Sequence, residues 1–274
     1  MKTLPFVKMH GLGNDYVYID GFQPDTADLL RSVDLPVLAR RMSDRHFGVG
    51  SDGLVLMLPS EEADARMRIF NADGSEAEMC GNAIRCVGKY LYESGLCRRL
   101  QMLVETRAGI RVLLLQATKG VVRQVQVNMG QPKIISDTLR KDNKPIGFTS
   151  VNIGNPHAVF FRNDVQQIEE VSQYGPYVSA HSHFPEGTNV EFVFVRNTRE
   201  LDVRVWERGS GVTMACGTGA CAAAVAAIWL DWTENEVTVH LQGGDLLVRR
   251  DEEGIVYLVG TATEVFRGEY LLED

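Results

Sequence analysis

The sequence predicts an α+β fold of two pseudo-symmetric mixed-β domains, each a β-barrel-like sheet wrapped around a central helix. Three observations predict it. Strand-forming segments dominate the 274 residues, and each half carries one strongly apolar helical segment. The halves also repeat. Cys80, in Met79-Cys80-Gly81-Asn82-Ala83, and Cys216, in Ala215-Cys216-Gly217-Thr218-Gly219, lie 136 residues apart, almost half the chain.

Segments 7–20, 53–58, 67–70, 102–115, 121–129 and 158–161 are rich in β-branched and aromatic residues, the mark of strands. So are 190–195, 201–206, 236–241, 245–250 and 255–259, and a last strand is expected at 263–274. Helices are fewer. Segments 25–41 and 165–174 read as peripheral. Segment 81–94 places Cys80, Ile84, Val87 and Leu91 on one face, and Gly95 ends it. Segment 217–230 is apolar almost all round, through Ala222, Ala223, Ala224, Val225, Ala226 and Ala227, as in a helix enclosed by other structure. The polar stretch 137–150 reads as an insertion, with a solvated loop at 137–144.

At the same offset of 136, Arg68-Ile69-Phe70-Asn71 falls on Arg204-Val205-Trp206-Glu207. Gly13-Asn14-Asp15-Tyr16-Val17 resembles Gly154-Asn155-Pro156-His157-Ala158 at an offset of 141. Such self-similarity marks a repeated architecture. The expected domains are 1–118 with the strand 263–274, and 119–262, with the active site in a cleft between them.

A formal charge of −8 with no basic run excludes a phosphate-tracking surface, so no nucleic-acid partner is expected. The N-terminus has no apolar core of signal-peptide length. The longest apolar stretch, 221–230, is too short for a bilayer, which takes roughly 20 residues, so no membrane association is expected. A cytoplasmic protein acting on a small molecule is expected. Five cysteines, an odd number without a secretion signal, argue against a disulfide framework. No Cys-x2-Cys spacing is present, and His181-x-His183 has no third ligand nearby, so no metal is expected.

The thiols are then buried fillers or reactive groups. Free cysteine is most often an inert small hydrophobe, and Cys86, Cys97 and Cys221 are read so. Cys80 and Cys216 differ because each precedes a helix and a glycine. A helix start favours thiolate through its unpaired N–H groups and dipole. Gly81, and Gly217 with Gly219, let backbone N–H groups approach a ligand closely. Two such helix starts make a carboxylate site. An α-amino acid held there presents its α-carbon to both thiols, one removing a proton and the other delivering one to the opposite face. A thiol redox sensor would explain the cysteines alone, and an amino-acid-binding module the backbone cradle alone.

These residues resemble the diaminopimelate epimerase family. The resemblance runs through Phe6-Val7-Lys8-Met9-His10-Gly11-Leu12-Gly13-Asn14-Asp15-Tyr16, Asp44-Arg45-His46-Phe47-Gly48-Val49-Gly50-Ser51-Asp52-Gly53 and Phe70-Asn71-Ala72-Asp73-Gly74-Ser75. It continues in Met79-Cys80-Gly81-Asn82-Ala83-Ile84-Arg85-Cys86, Gly154-Asn155-Pro156-His157, Gly187-Thr188-Asn189-Val190-Glu191-Phe192, Trp206-Glu207-Arg208-Gly209 and Ala215-Cys216-Gly217-Thr218-Gly219. The resemblance implies a diaminopimelate epimerase-like fold and interconversion of LL- and meso-2,6-diaminopimelate in lysine and peptidoglycan precursor synthesis. It implies no cofactor, neither pyridoxal phosphate nor metal, and a homodimer.

Carried over by motif, Cys80 and Cys216 are the implied acid/base pair. Gly81, Asn82, Gly217 and Thr218 would hold the reacting carboxylate through backbone N–H groups. His157 and Glu207 would sit beside the thiols, Glu207 also pairing with the reacting ammonium. Asn14, Asn71, Asn155, Asn189 and Arg208 would recognise the distal amino-acid head. Gly53 offers only backbone and is left out of the site. Proline-type racemases and a phenazine-pathway isomerase are also similar to this fold, but the asparagine set with Glu207-Arg208 favours diaminopimelate.

Overall fold

The computed structural model describes residues 2–141 and 144–272. The chain divides into two compact units, Met1–Val127 with Gly260–Asp274, and Asn128–Val259. The first expected strand, 7–20, is a hairpin of β1 (Lys2–Gly11) and β2 (Asn14–Asp20), with Gly11 opposite Asn14. Leu12 and Gly13 form the turn at φ 55° and 83°. Positive φ at both turn positions matches the twist of the flanking strands.

The single helix expected at 25–41 is two helices, α1 (Pro24–Ser32) and α2 (Leu35–Ser43). Asp34 caps α2 by accepting a hydrogen bond from the Val37 N–H at 3.0 Å. Pro36 sits in the first turn of α2, where its missing N–H is harmless; inside one long helix it would break the hydrogen-bond ladder. Leu38, Ala39 and Met42 of α2 join Val17, Ile19, Leu54 and Phe70 in one core cluster.

β3 (Gly53–Leu58) runs parallel to β2, and β4 (Ala65–Asn71) antiparallel to β3. β5 (Glu76–Ala77) leads into α3 (Gly81–Glu93). α3 is buried all round from Gly81 to Leu91, Arg85 included, rather than on one face alone. Gly95, at φ 82°, follows its end. The expected strand 102–115 is the hairpin of β6 (Gln101–Thr106) and β7 (Gly109–Thr118). β8 (Val121–Gly130) pairs with β7 as far as Val127. This hairpin carries the first unit beyond residue 118, the division expected from the sequence.

In the second unit the loop expected at 137–144 lies instead in an antiparallel hairpin of β9 (Lys133–Lys141) and β10 (Lys144–Asn152); residues 142 and 143 lie outside the described residues. Leu139 and Phe148 are buried beneath it, so a few apolar anchors and the cross-strand ladder outweigh the polar composition. β11 (Pro156–Arg162) connects through a short 3-10 turn (Val165–Glu170) and α4 (Val171–Ser179) to β12 (Asn189–Asn197), which is parallel to it. β13 (Glu200–Glu207) and β14 (Gly211–Val212) precede α5 (Gly217–Trp229). Ala220 through Ala227 of α5 are fully buried among β10, β11, β12, β13, β15 (Glu236–Leu241) and β16 (Gly244–Arg250). Only small side chains let strands approach a helix on every side. β17 (Val256–Gly260) completes the unit, and β18 (Thr263–Leu272) returns to the first unit along β1 from Lys2 to His10.

The two units repeat strand for strand. In each, an antiparallel pair (β1–β2, β10–β11) is followed by a parallel partner (β3, β12) and then an antiparallel one (β4, β13). A two-residue strand pairs next (β5, β14), then come the central helix and a strand parallel to the fourth (β6, β15). β18 flanks β1 as β9 flanks β10. The fold is therefore α+β and sheet-rich, a duplicated mixed sheet around one helix per unit. No helix among the described residues is long and apolar enough to cross a membrane.

Candidate active site

Each cysteine caps the central helix of its own unit. Cys80 is the N-cap of α3 with extended backbone (φ −139°, ψ 121°), and its carbonyl accepts the Ile84 N–H at 3.0 Å. Cys216 is the N-cap of α5 (φ −111°, ψ 114°), and its carbonyl accepts the Ala220 N–H at 2.9 Å. The first turn of a helix presents N–H groups that no helix carbonyl can reach, beside the positive end of the dipole.

In the first unit, the Cys80 thiol donates to Asn14 Oδ1 (3.5 Å), which also accepts from Asn82 Nδ2 (3.2 Å). Asn14 Nδ2 donates in turn to Asp52 Oδ2 at 2.8 Å, so its amide is held in one orientation. Asp52 is itself set by Arg45 (2.9 Å), which also pairs with Asp15 (2.8 Å), and Asp15 pairs with Lys8. Burial pushes the Asp15 carboxyl up, but Arg45 and Lys8 outweigh it and hold it below the usual range. Arg85, wholly buried, bonds the Gly81 carbonyl and Asn82 Oδ1, both at 3.0 Å. Gly81 and Asn82 are thereby locked at the helix start. Asn71 ends β4 and donates to Ser75 Oγ at 3.0 Å. Opposite Asn71 in the ladder is Gly53, where a Cβ would fall 2.1 Å from the Phe70 carbonyl oxygen. The backbone leaves no room for a side chain there.

In the second unit, the Gly219 N–H donates to Cys216 Sγ at 3.3 Å, and Thr218 Oγ1 lies 3.5 Å from the same sulfur. Asn155 Nδ2 donates to Thr218 Oγ1 (3.4 Å), and Asn155 Oδ1 meets His157 Nε2 (3.0 Å). His157 Nδ1 meets Glu191 Oε1 at 2.7 Å. Glu207 accepts from the Thr213 hydroxyl and lies near enough to Cys216 for its charge to act on the thiol. Burial raises the Glu207 carboxyl, and the Thr213 hydrogen bond and then the neighbouring Cys216 thiol partly offset the rise. Burial, and next the nearby Glu207 charge, push the Cys216 thiol well above its ordinary value. Asn189 joins Arg208 by accepting its backbone N–H at 2.9 Å, while the Arg208 guanidinium bonds the Glu186 carbonyl at 2.8 Å.

Cys80, Asn14, Asn82 and Gly81 thus converge in one unit, and Cys216, Gly217, Thr218, Asn155, His157 and Glu207 in the other. Hydrogen bonds link His157 to Cys216 through Asn155 and Thr218. Sequence reasoning missed Asp52, Arg85, Thr213 and Glu191, which orient these residues from behind. Asp52 and Glu191 lie inside motifs quoted above, but nothing local distinguishes a buried anchor from an exposed carboxylate. Away from the cysteines, His181 Nε2 bonds the Arg140 carbonyl (3.2 Å) and His183 Nε2 bonds Asp137 (2.9 Å).

Solved structures share this architecture throughout. A hydroxyproline epimerase from Agrobacterium vitis matches with a TM-score of 0.73 at 18% identity, covering 99% of this chain and 93% of that one. A phenazine biosynthesis protein of the PhzF family from Bacillus anthracis matches with a TM-score of 0.70 at 18% identity, covering 99% and 100%. The fold is that of the class to which these epimerase and phenazine-biosynthesis structures belong. Residues 6–135 and 149–265 match the family model described as diaminopimelate epimerase. The diaminopimelate epimerase of Desulfitobacterium hafniense is 48% identical over 99% of both chains, and that of Pelotomaculum thermopropionicum 48% identical over 97% of this chain and 98% of its own. This chain belongs to the diaminopimelate epimerase family.

Proposed function

We propose that this protein interconverts LL- and meso-2,6-diaminopimelate by a two-base reaction in which Cys80 and Cys216 exchange roles with reaction direction. One thiolate takes the α-proton, leaving its electron pair on the α-carbon; the other thiol gives a proton to the opposite face. The carboxylate is bound by backbone N–H groups of Gly81, Asn82, Gly217 and Thr218, which stabilise the carbanionic transition state. Glu207 accepts the Cys216 proton and pairs with the reacting ammonium. Asn14, Asn71, Asn155, Asn189 and Arg208 recognise the distal head, whose carboxylate suits a planar guanidinium. The thiols supply both proton transfers, so no cofactor is invoked.

The observation that carries this function is the repeated N-cap cysteine, each held in a polar cluster rather than buried as filler. Purified protein without added cofactor is expected to epimerise LL-diaminopimelate and leave L-proline unchanged. Turnover in deuterium oxide should label the α-carbon. Cys80→Ala and Cys216→Ala should each abolish turnover while Cys97→Ala retains it; equal tolerance at all three would end the assignment. A homodimer in the cytoplasm, supplying lysine and peptidoglycan precursor synthesis, completes the proposal. Sedimentation equilibrium at micromolar concentration tests the dimer.

A further inference from the structure

Glu191 and His157 have no counterpart in the other unit. The parallel register sets His157 opposite Asn189 and Val159 opposite Glu191. The same register in the first unit sets Tyr16 opposite Gly53 and Tyr18 opposite Val55. Tyr16 and Val55 therefore occupy the positions of His157 and Glu191, and both are buried. The fold is built there without an acid–imidazole pair. Burying a carboxyl and an imidazole where apolar side chains would fit is unfavourable unless every polar atom is partnered, so the pair's presence calls for a reason other than folding.

The hydrogen bonds have a definite polarity. Asn155 Oδ1 only accepts, so His157 Nε2, 3.0 Å away, carries a proton. Asn155 Nδ2 donates to Thr218 Oγ1, which leaves the hydroxyl proton of Thr218 for Cys216 Sγ at 3.5 Å. At the far end Glu191 is wholly buried, and its Oε2 has no hydrogen-bond partner among the described residues. An ionised carboxylate with one oxygen unpartnered in a dry interior is expensive; a neutral carboxyl leaves only a carbonyl oxygen there. Burial raises the Glu191 carboxyl, with His157 acting in the opposite sense.

We infer that Glu191 is a positioning residue: as a neutral carboxyl it donates to His157 Nδ1, fixes the Nε2–H tautomer, and through Asn155 aims the Thr218 hydroxyl at Cys216. The thiolate of Cys216 then meets two aimed donors, the Thr218 hydroxyl and the Gly219 N–H. The consequence for catalysis rests on the acid/base role proposed for Cys216.

The test is nitrogen-15 NMR of full-length, ligand-free protein labelled in its histidines, with His157→Gln used to assign the resonance. At neutral pH His157 is expected as the Nε2–H tautomer with Nδ1 unprotonated, both in the wild type and in Glu191→Gln, whose amide also donates to Nδ1. Glu191→Leu removes that donor. It should lose the single tautomer and lower kcat by roughly 10²-fold, the scale of a removed positioned donor, with KM little changed. Glu191→Gln should keep kcat within about tenfold of wild type on the same scale. An Nδ1–H tautomer or a doubly protonated ring in the wild type would overturn the inference, as would Glu191→Gln falling as far as Glu191→Leu. Should Glu191→Leu fail to fold, the wild-type and Glu191→Gln tautomers decide it. A wild type without epimerase activity would sink the proposed function instead, leaving the tautomer result standing.

Discussion

Cys216 shows how a single residue is tuned by its neighbours. A helix N-terminus lowers the pKa of a thiol, and that is what its position in the sequence predicts. In the folded unit the burial of the side chain and the adjacent Glu207 act in the opposite sense and win. The ligand-free protein therefore holds Cys216 as a thiol at neutral pH, beside the Glu207 carboxyl. Removing the negative charge should lower the thiol's pKa, so Glu207→Gln should shift the pH profile of Cys216 alkylation to lower pH. Mass-spectrometric quantification of alkylation at this site, between pH 7 and 10, checks the sign. The sulfur's identity as a candidate was legible from the pairing of its glycine turn with that of Cys80, 136 residues earlier. Its protonation state was not, because burial of the thiol and the approach of the Glu207 carboxylate from the end of β13 exist only in the folded unit.

At the scale of elements, strands and central helices were legible because their composition reports burial on both faces. The errors lay where a local device or a distant partner decides. Segment 25–41 keeps one helical periodicity, but Asp34 and Pro36 together stop and restart it. Asp34→Ala should therefore cost about 1 kcal/mol, the usual value of an N-cap, measurable as a lower denaturant midpoint with unchanged slope. Segment 137–144 is polar and reads as loop, yet the described part is strand because β10 supplies its ladder. Gly53 belongs to the same lesson. Its strand was plain, whereas the reason for glycine, a carbonyl 2.1 Å from any Cβ, exists only once β4 is alongside.

For the whole molecule, the repeat has one asymmetry of connection. The second unit is continuous in sequence, whereas the first is closed by the last strand, β18, lying along β1. Ending the chain after Gly260 should strip the hydrogen-bond partners from that edge of β1. Hydrogen exchange is expected to show lost protection in Thr3 through Phe6, which pair with β18 and not with β2, while β12 and α5 keep theirs. Uniform loss across both units would contradict the division, since compact units open as separate cooperative blocks.

The sequence alone determined the repeat, the strand-rich class, the two central helices and the pair of candidate thiols. Each of these follows from local composition and spacing, which are one-dimensional properties. Only the tertiary structure decided which carboxylates stand behind the site: Asp52 under Asn14 and Glu191 under His157. Those partners lie 34 and 38 residues apart in the chain, and hydrogen bonding among them depends on angstrom-scale placement that spacing in the sequence does not carry.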